Sequence, residues 1–287
     1  MNAYTKCIAL AFFVLMFSCK KEKTIAFASD TVQIELNEQG HIIGIMDLST
    51  DQEYSPTAKE SPLLAIVEYG KHKLPISIRP NGNNIFTLSF AESKLTLDLK
   101  IQEKPNHISL AIEEVTHGEQ LEAVLWGPYA NTIKDTIGEN IGVVRNSDFA
   151  LGIQSLNPKT TAGKLDNIQG IVSYHGTAAE EKEYGSVLQA FAINRTRDLS
   201  HSTWEGWENR YEGRPYPILN NEEGAVTGSA IALFGCKPSK VLDHIGEIEV
   251  AEGLPHPEID GVWVKKSRET GRAYVISPFS EENIETT

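Results

Sequence analysis

The chain has 287 residues, 40% of them hydrophobic and 23% charged, which is enough to bury one large core or two small ones. The 39 acids against 26 lysines and arginines leave a net charge of −13, which argues against nucleic acid as a partner. Only three cysteines are present, Cys7, Cys19 and Cys236, so a disulfide-rich scaffold is excluded.

In the opening MNAYTKCIALAFFVLMFSC, Lys6 is the only charge and Ile8 through Phe17 form an unbroken apolar run. A bilayer span needs about 20 apolar residues, whereas a signal-peptide core needs about 7 to 15 followed by small residues, and the run fits the second case. Met16-Phe17-Ser18-Cys19 resembles a lipobox. That implies a signal peptide over 1–18 and a Cys19 that takes diacylglycerol and becomes the first residue of a lipoprotein. Lys20, Lys21, Glu22 and Lys23 then switch abruptly to charge, as a tether over 19–29 should on leaving a bilayer. Two or three acyl chains anchor firmly where one would not. The expected place is the cell envelope, at the outer membrane, with the bilayer as a partner through Cys19; the face is open. Cys7 leaves with the signal and Cys19 is lipidated, so Cys236 stands alone. It ends the apolar run AIALFGC and reads as a buried, inert thiol.

Beyond the tether the dominant period is two. Val32, Ile34 and Leu36 alternate with Gln33 and Glu35, and Leu95, Leu97, Leu99 and Ile101 alternate with Thr96, Asp98 and Lys100. Ile108, Leu110 and Ile112 repeat the pattern, which marks strands with one buried and one wet face. Further strands are predicted over 42–48, 63–69, 74–79, 85–90, 121–126, 141–145, 148–154, 169–174, 187–193, 225–234, 261–265 and 272–277, with turn signals such as Pro80-Asn81-Gly82-Asn83 between them. GTAAEEKEYGS, 176–186, reads as an acidic surface loop, and 238–247 is the best helix candidate. Roughly fifteen short strands with few helices predict an all-β fold, a large antiparallel sandwich over 30–279. Ser280-Glu281-Glu282-Asn283 then reads as a helix start, with a capping serine and acids in the first turn; 280–287 is either the beginning of a truncated helix or a tail.

Three stretches carry a family resemblance. TVQIELNEQGHIIGIMDLSTDQEYSPTAKESPLLAIVEY, 31–69, resembles the start of galactose-mutarotase-like super-sandwich domains. AVLWGPYANTIKDTIGENIGVVRNSDFALGIQSLN, 123–157, and DGVWVKKSRETGRAYVISPFSEENIE, 260–285, are similar to the sandwich of polysaccharide-acting lipoproteins of Bacteroidetes. The resemblance implies a super-sandwich fold and a place in polysaccharide use. In that family a catalytic barrel typically follows, so its absence here leaves a truncated, inactive scaffold as one reading.

The richest stretch for chemistry is FAINRTRDLSHSTWEGWENRYEGRPYP, 191–217. It gathers Arg195, Arg197, His201, Trp204, Trp207, Arg210, Tyr211, Arg214 and Tyr216. Sugars offer apolar CH faces that stack on Trp and Tyr, and hydroxyls or carboxylates that suit the bidentate fork of Arg. Arg195, Arg197, Trp204, Trp207, Arg210, Tyr211 and Arg214 are therefore the candidate contacts to a uronate- or sulfate-bearing polysaccharide. The alternative is a connecting loop whose indoles plug the sandwich edge and whose arginines pair with Asp198, Glu205, Glu208 and Glu212. For catalysis, a polysaccharide lyase needs a base, a neutraliser for the uronate carboxylate and an acid; His175, His201 and Tyr211 are candidates. A glycoside hydrolase would need two spaced carboxylates, and with 39 acids no pair stands out. No cofactor or metal motif is present, so none is expected; Asp135, Glu139 and Asp148 could line a structural calcium site.

Overall fold

The computed structural model describes residues 23–57, 59, 61–139, 141–168, 171–175, 177–196, 219 and 222–268. Strands β1 (Ile25–Ala28), β2 (Val32–Leu36), β3 (Ile42–Asp47) and β4 (Gln52–Glu53) form a four-stranded antiparallel sheet in chain order. The chain then enters a six-stranded sheet with β5 (Leu64–Glu68) and β6 (Lys71–Lys73). It crosses to an eight-stranded sheet as a meander of β7 (Pro75–Pro80), β8 (Ile85–Phe90), β9 (Thr96–Glu103) and β10 (Ile108–Thr116). Next, β11 (Leu121–Asn131) returns to the first of these, while β12 (Thr136–Gly138), β13 (Val143–Arg145) and β14 (Ala150–Ser155) go back to the second. After β15 (Thr161–Ala162) comes a separate hairpin, β16 (Lys164–Ile168) with β17 (Ile171–His175). Strands β18 (Ala179–Lys182) and β19 (Gly185–Ile193) complete the six-stranded sheet, and β20 (Ala230–Cys236) inserts between β14 and β10. Helix α1 (Val241–Ala251) and a small hairpin of β21 (Glu258–Ile259) and β22 (Val262–Trp263) follow.

The expected all-β antiparallel sandwich is what these strands build, and the reason is visible in their burial. In β9, Leu97, Leu99 and Ile101 are buried while the residues between them are not, as a period of two requires. Strands β5 and β20 are buried along their whole length because both of their faces are covered. The main core lies between the sheets, where Leu36, Leu99, Leu110, Trp126, Leu188 and Ile231 meet. On the outer side of β20, Ala232, Phe234 and Cys236 pack under Ile245 and Ile248 of α1. On the outer side of the six-stranded sheet, Ala65, Ala123, Leu125 and Phe191 pack under Leu165 of the β16–β17 hairpin.

A bulge in β11 turns two large rings inward. Residues 126 and 129 would face opposite sides of a regular strand, but the register shifts between them and both are fully buried. Gly127 sits there at φ +84°, and a Cβ would fall 2.6 Å from the Tyr129 nitrogen and 2.8 Å from the Leu188 carbonyl oxygen. Tyr129 Oη donates to the Leu63 carbonyl at 2.7 Å, so neither ring leaves a polar atom stranded once Trp126 finds Ser229.

Differences from expectation have local causes. Ala179–Lys182, expected within an acidic loop, is a strand paired to β19, and Glu180 is compensated by Lys182 at 2.8 Å and Lys164 at 3.4 Å. Ile25–Ala28, expected as tether, pairs with β2. Residues 225–229 are not strand; they follow a 3-10 turn at Glu222–Gly224, and the ladder starts at Ala230. The helix expected over 238–247 begins as a 3-10 turn at Pro238–Lys240 and runs as α1 to Ala251. Residues 261–265 contribute only Val262–Trp263 as strand. The expected signal peptide, the strand at 272–277 and the segment 280–287 lie outside the described residues.

Candidate functional site

The last residues of β19 alternate across the sheet, so Phe191 and Ile193 point away from the main core and toward the outer face. They floor a cavity of about 580 Å³ whose walls are Pro158, Lys159 and Thr161 on one side and Arg195, Leu219, Glu223 and Ala225 on the other. Thr161 of β15 is the register partner of Phe191. The Arg195 backbone is held at both ends, its N–H donating to the Gly224 carbonyl at 2.7 Å and its carbonyl accepting from Leu219 at 2.9 Å.

Lys159 reaches the cavity from a turn built by Asn157. The Asn157 side-chain oxygen accepts from the Lys159 N–H at 3.2 Å, and its amide donates to the Gly228 carbonyl at 2.6 Å. The Lys159 ammonium then donates to the carbonyls of Glu222 at 2.6 Å and Thr227 at 2.7 Å. The cavity thus joins an apolar floor to two half-buried cations, Lys159 and Arg195, and one exposed carboxylate, Glu223. That is a local excess of positive charge on an acidic protein.

Among the residues singled out from sequence, Arg195 lines this cavity. Arg197, His201, Trp204, Trp207, Arg210, Tyr211 and Arg214 lie outside the described residues, as does Cys19. Arg195 and Leu219, the described residues nearest that run on either side that line the cavity, are bonded neighbours at its rim. His175 ends β17 opposite Lys164 in the hairpin register, and its side chain lies outside the description. Asp135, Glu139 and Asp148 are each exposed, and among the described residues no group of three or more His, Cys, Asp or Glu could hold a metal ion. Lys159, Thr161 and Glu223 were not nominated from sequence, since only the tertiary fold brings 158–161 and 222–225 to the end of β19.

A larger cavity, about 790 Å³, lies beside α1 and is lined by Cys236, Asp243, His244, His256, Trp263 and Lys266, among others. Several of its polar groups are paired, while the buried indole N–H of Trp263 has no partner among the described residues. Asp243 pairs with Lys240 at 3.2 Å and with Lys266, and hydrogen bonds from Lys266 and Lys240 hold its carboxyl below the usual range. His256 Nδ1 lies 3.1 Å from the buried Glu249, which also receives Lys265 at 2.6 Å, and the His256 ring stacks on Trp263 at 4.8 Å. Burial, with Glu247 adding to it, pushes the Cys236 thiol up to about 11, which leaves it protonated and unreactive at neutral pH. These contacts fasten the hairpin segment to α1, while His244 Nε2 at the Asn106 carbonyl and the apolar face under Ile248 hold α1 to the sandwich.

No family model and no curated protein sequence matches the chain. Among solved structures it is similar to a galactose mutarotase-like protein from Lactobacillus casei ATCC 334, with 10% identity and a TM-score of 0.32 over 75% of this chain and 100% of that one. It is also similar to a galactose mutarotase related enzyme from Lactobacillus acidophilus, with 9% identity and a TM-score of 0.26 over 61% of this chain and 75% of that one.

Proposed function

We propose that this chain is an exported lipoprotein, anchored at the outer membrane through Cys19, whose sandwich binds an anionic glycan bearing uronate or sulfate groups. The observation that carries the reading is the cavity at the end of β19, where an apolar floor of Phe191 and Ile193 meets Lys159 and Arg195 at the root of the arginine- and aromatic-rich run. An apolar floor suits the CH face of a pyranose, and cations held at the wall suit its acidic substituents. The acidic remainder of the protein confines the attraction for polyanions to this region.

Affinity electrophoresis of the full chain in mild detergent tests the proposal. Gels containing polygalacturonate, alginate, ulvan or a neutral glucan are compared. Retardation by an acidic glycan and passage through the neutral one support the reading; unretarded migration in every gel overturns it. The same mixtures, followed by ultraviolet absorbance, report unsaturated sugar ends, whose appearance would make the protein a lyase.

A further inference from the structure

Resting on that reading, we infer that Lys159 is the residue that receives the carboxylate or sulfate of the glycan. An ammonium has three N–H donors. Two of those of Lys159 are committed to the carbonyls of Glu222 and Thr227. Among the described residues, the third has no acceptor and no carboxylate pairs with the charge. Neutral carbonyls solvate a cation without cancelling it, so the wall of the cavity keeps a net positive charge on a half-buried side chain. The other two charged groups of the cavity differ in this respect: Arg195 and Glu223 are each already engaged within the protein. The Asn157 turn and the two carbonyls also fix where the ammonium sits. An incoming anion meets a donor that needs no rearrangement, and less ordering entropy is lost on binding.

Chain order hides this residue, since Lys159 is separated from Arg195 by the β16–β17 hairpin, β18 and the whole of β19. The two are brought to one cavity because β15, which follows the Asn157 turn, pairs with β19.

The test is Lys159→Gln in the full chain. The glutamine amide removes the charge and still offers two N–H groups toward the carbonyls, on a side chain one atom shorter. Removing a charge-assisted contact should weaken retention by polygalacturonate or by a sulfated galactan about tenfold to a hundredfold, while the unfolding midpoint stays close to that of the parent. Lys159→Arg should restore most of the retention. Whichever of the two polymers shows the loss identifies carboxylate or sulfate as the partner. Undiminished retention of a folded Lys159→Gln protein reduces Lys159 to a tie between two turns and overturns the inference, leaving glycan binding intact. A parent protein retained by neither polymer overturns both. If Lys159→Gln does not fold, amine acylation of the parent decides: protection of Lys159 by a galacturonate or sulfated oligosaccharide supports the assignment, and unchanged labelling overturns it.

Discussion

The indole Nε1 of Trp126 donates to the hydroxyl of Ser229 at 3.0 Å, both side chains being fully buried. The same hydroxyl lies 2.9 Å from Thr160 Oγ1, which also accepts from the Ala230 N–H at 2.9 Å. This chain of bonds ties the centre of the core to the turn that carries Lys159. Ser229→Ala removes almost no volume but leaves the indole N–H without a partner. It should cost about 1 to 3 kcal/mol of stability in urea unfolding. A loss indistinguishable from zero would mean that the indole is satisfied by other means.

Stability should fall in acid in two stages, both centred where α1 docks on the β9–β10 turn. His107 is fully buried with Nε2 2.6 Å from Glu252, whose carboxylate also takes the Lys104 ammonium. Burial pulls the His107 pKa below its ordinary 6.5, against the upward pull of the Glu252 carboxylate. The unfolded chain therefore binds the proton more readily, so the contribution of His107 is complete above about 6.5 and is lost as pH falls below it. For Glu252, burial raises the pKa, but hydrogen bonds from Lys104 and His107 outweigh it and leave the group below its ordinary value. Its contribution is present above about 4.5 and is lost as pH drops further. Urea midpoints from pH 7.5 to 4 should show this decline, with a shallower slope between pH 7 and 5 for His107→Gln. An identical slope in that variant would remove His107 as its source.

Trp204→Ala and Trp207→Ala should each weaken retention in the acidic-glycan gel by about 1 to 3 kcal/mol, the usual cost of losing an aromatic anchor at a binding surface. Unchanged retention in both would separate the aromatic run from the site.

Cys19→Ala should move the protein from the membrane fraction to the soluble fraction. Intact-mass spectrometry of the parent should show acyl chains on a mature chain that begins at Cys19. A mature amino terminus without lipid would contradict the anchor.

Much of the fold was legible because alternation survives wherever a strand has one wet face, as in Leu97, Leu99 and Ile101 of β9. It also survived as a continuous apolar run in β5 and β20, although the run does not say that α1 or a hairpin covers the second face. Strand β18 was missed because Glu180-Glu181-Lys182 reads as solvent-exposed charge, and the charge on Glu180 is balanced by Lys182 of the same strand and by Lys164 of the β16–β17 hairpin. The bulge at Gly127 left its mark only as a Gly-Pro pair, with nothing to indicate that it would point both Trp126 and Tyr129 inward. At the site, Arg195 was found because it belongs to a local cluster. Lys159 carries no such signal, since its setting comes from the carbonyls of Glu222 and Thr227, residues far along the chain.

The most direct test of the account is hydrogen–deuterium exchange of the full chain with and without a saturating acidic oligosaccharide. Binding at the end of β19 predicts slower exchange at 157–161, 191–196 and 222–228, and unchanged exchange along α1 and the β1–β4 sheet. Slowing confined to α1 and the 256–266 segment, or no slowing anywhere, would contradict it.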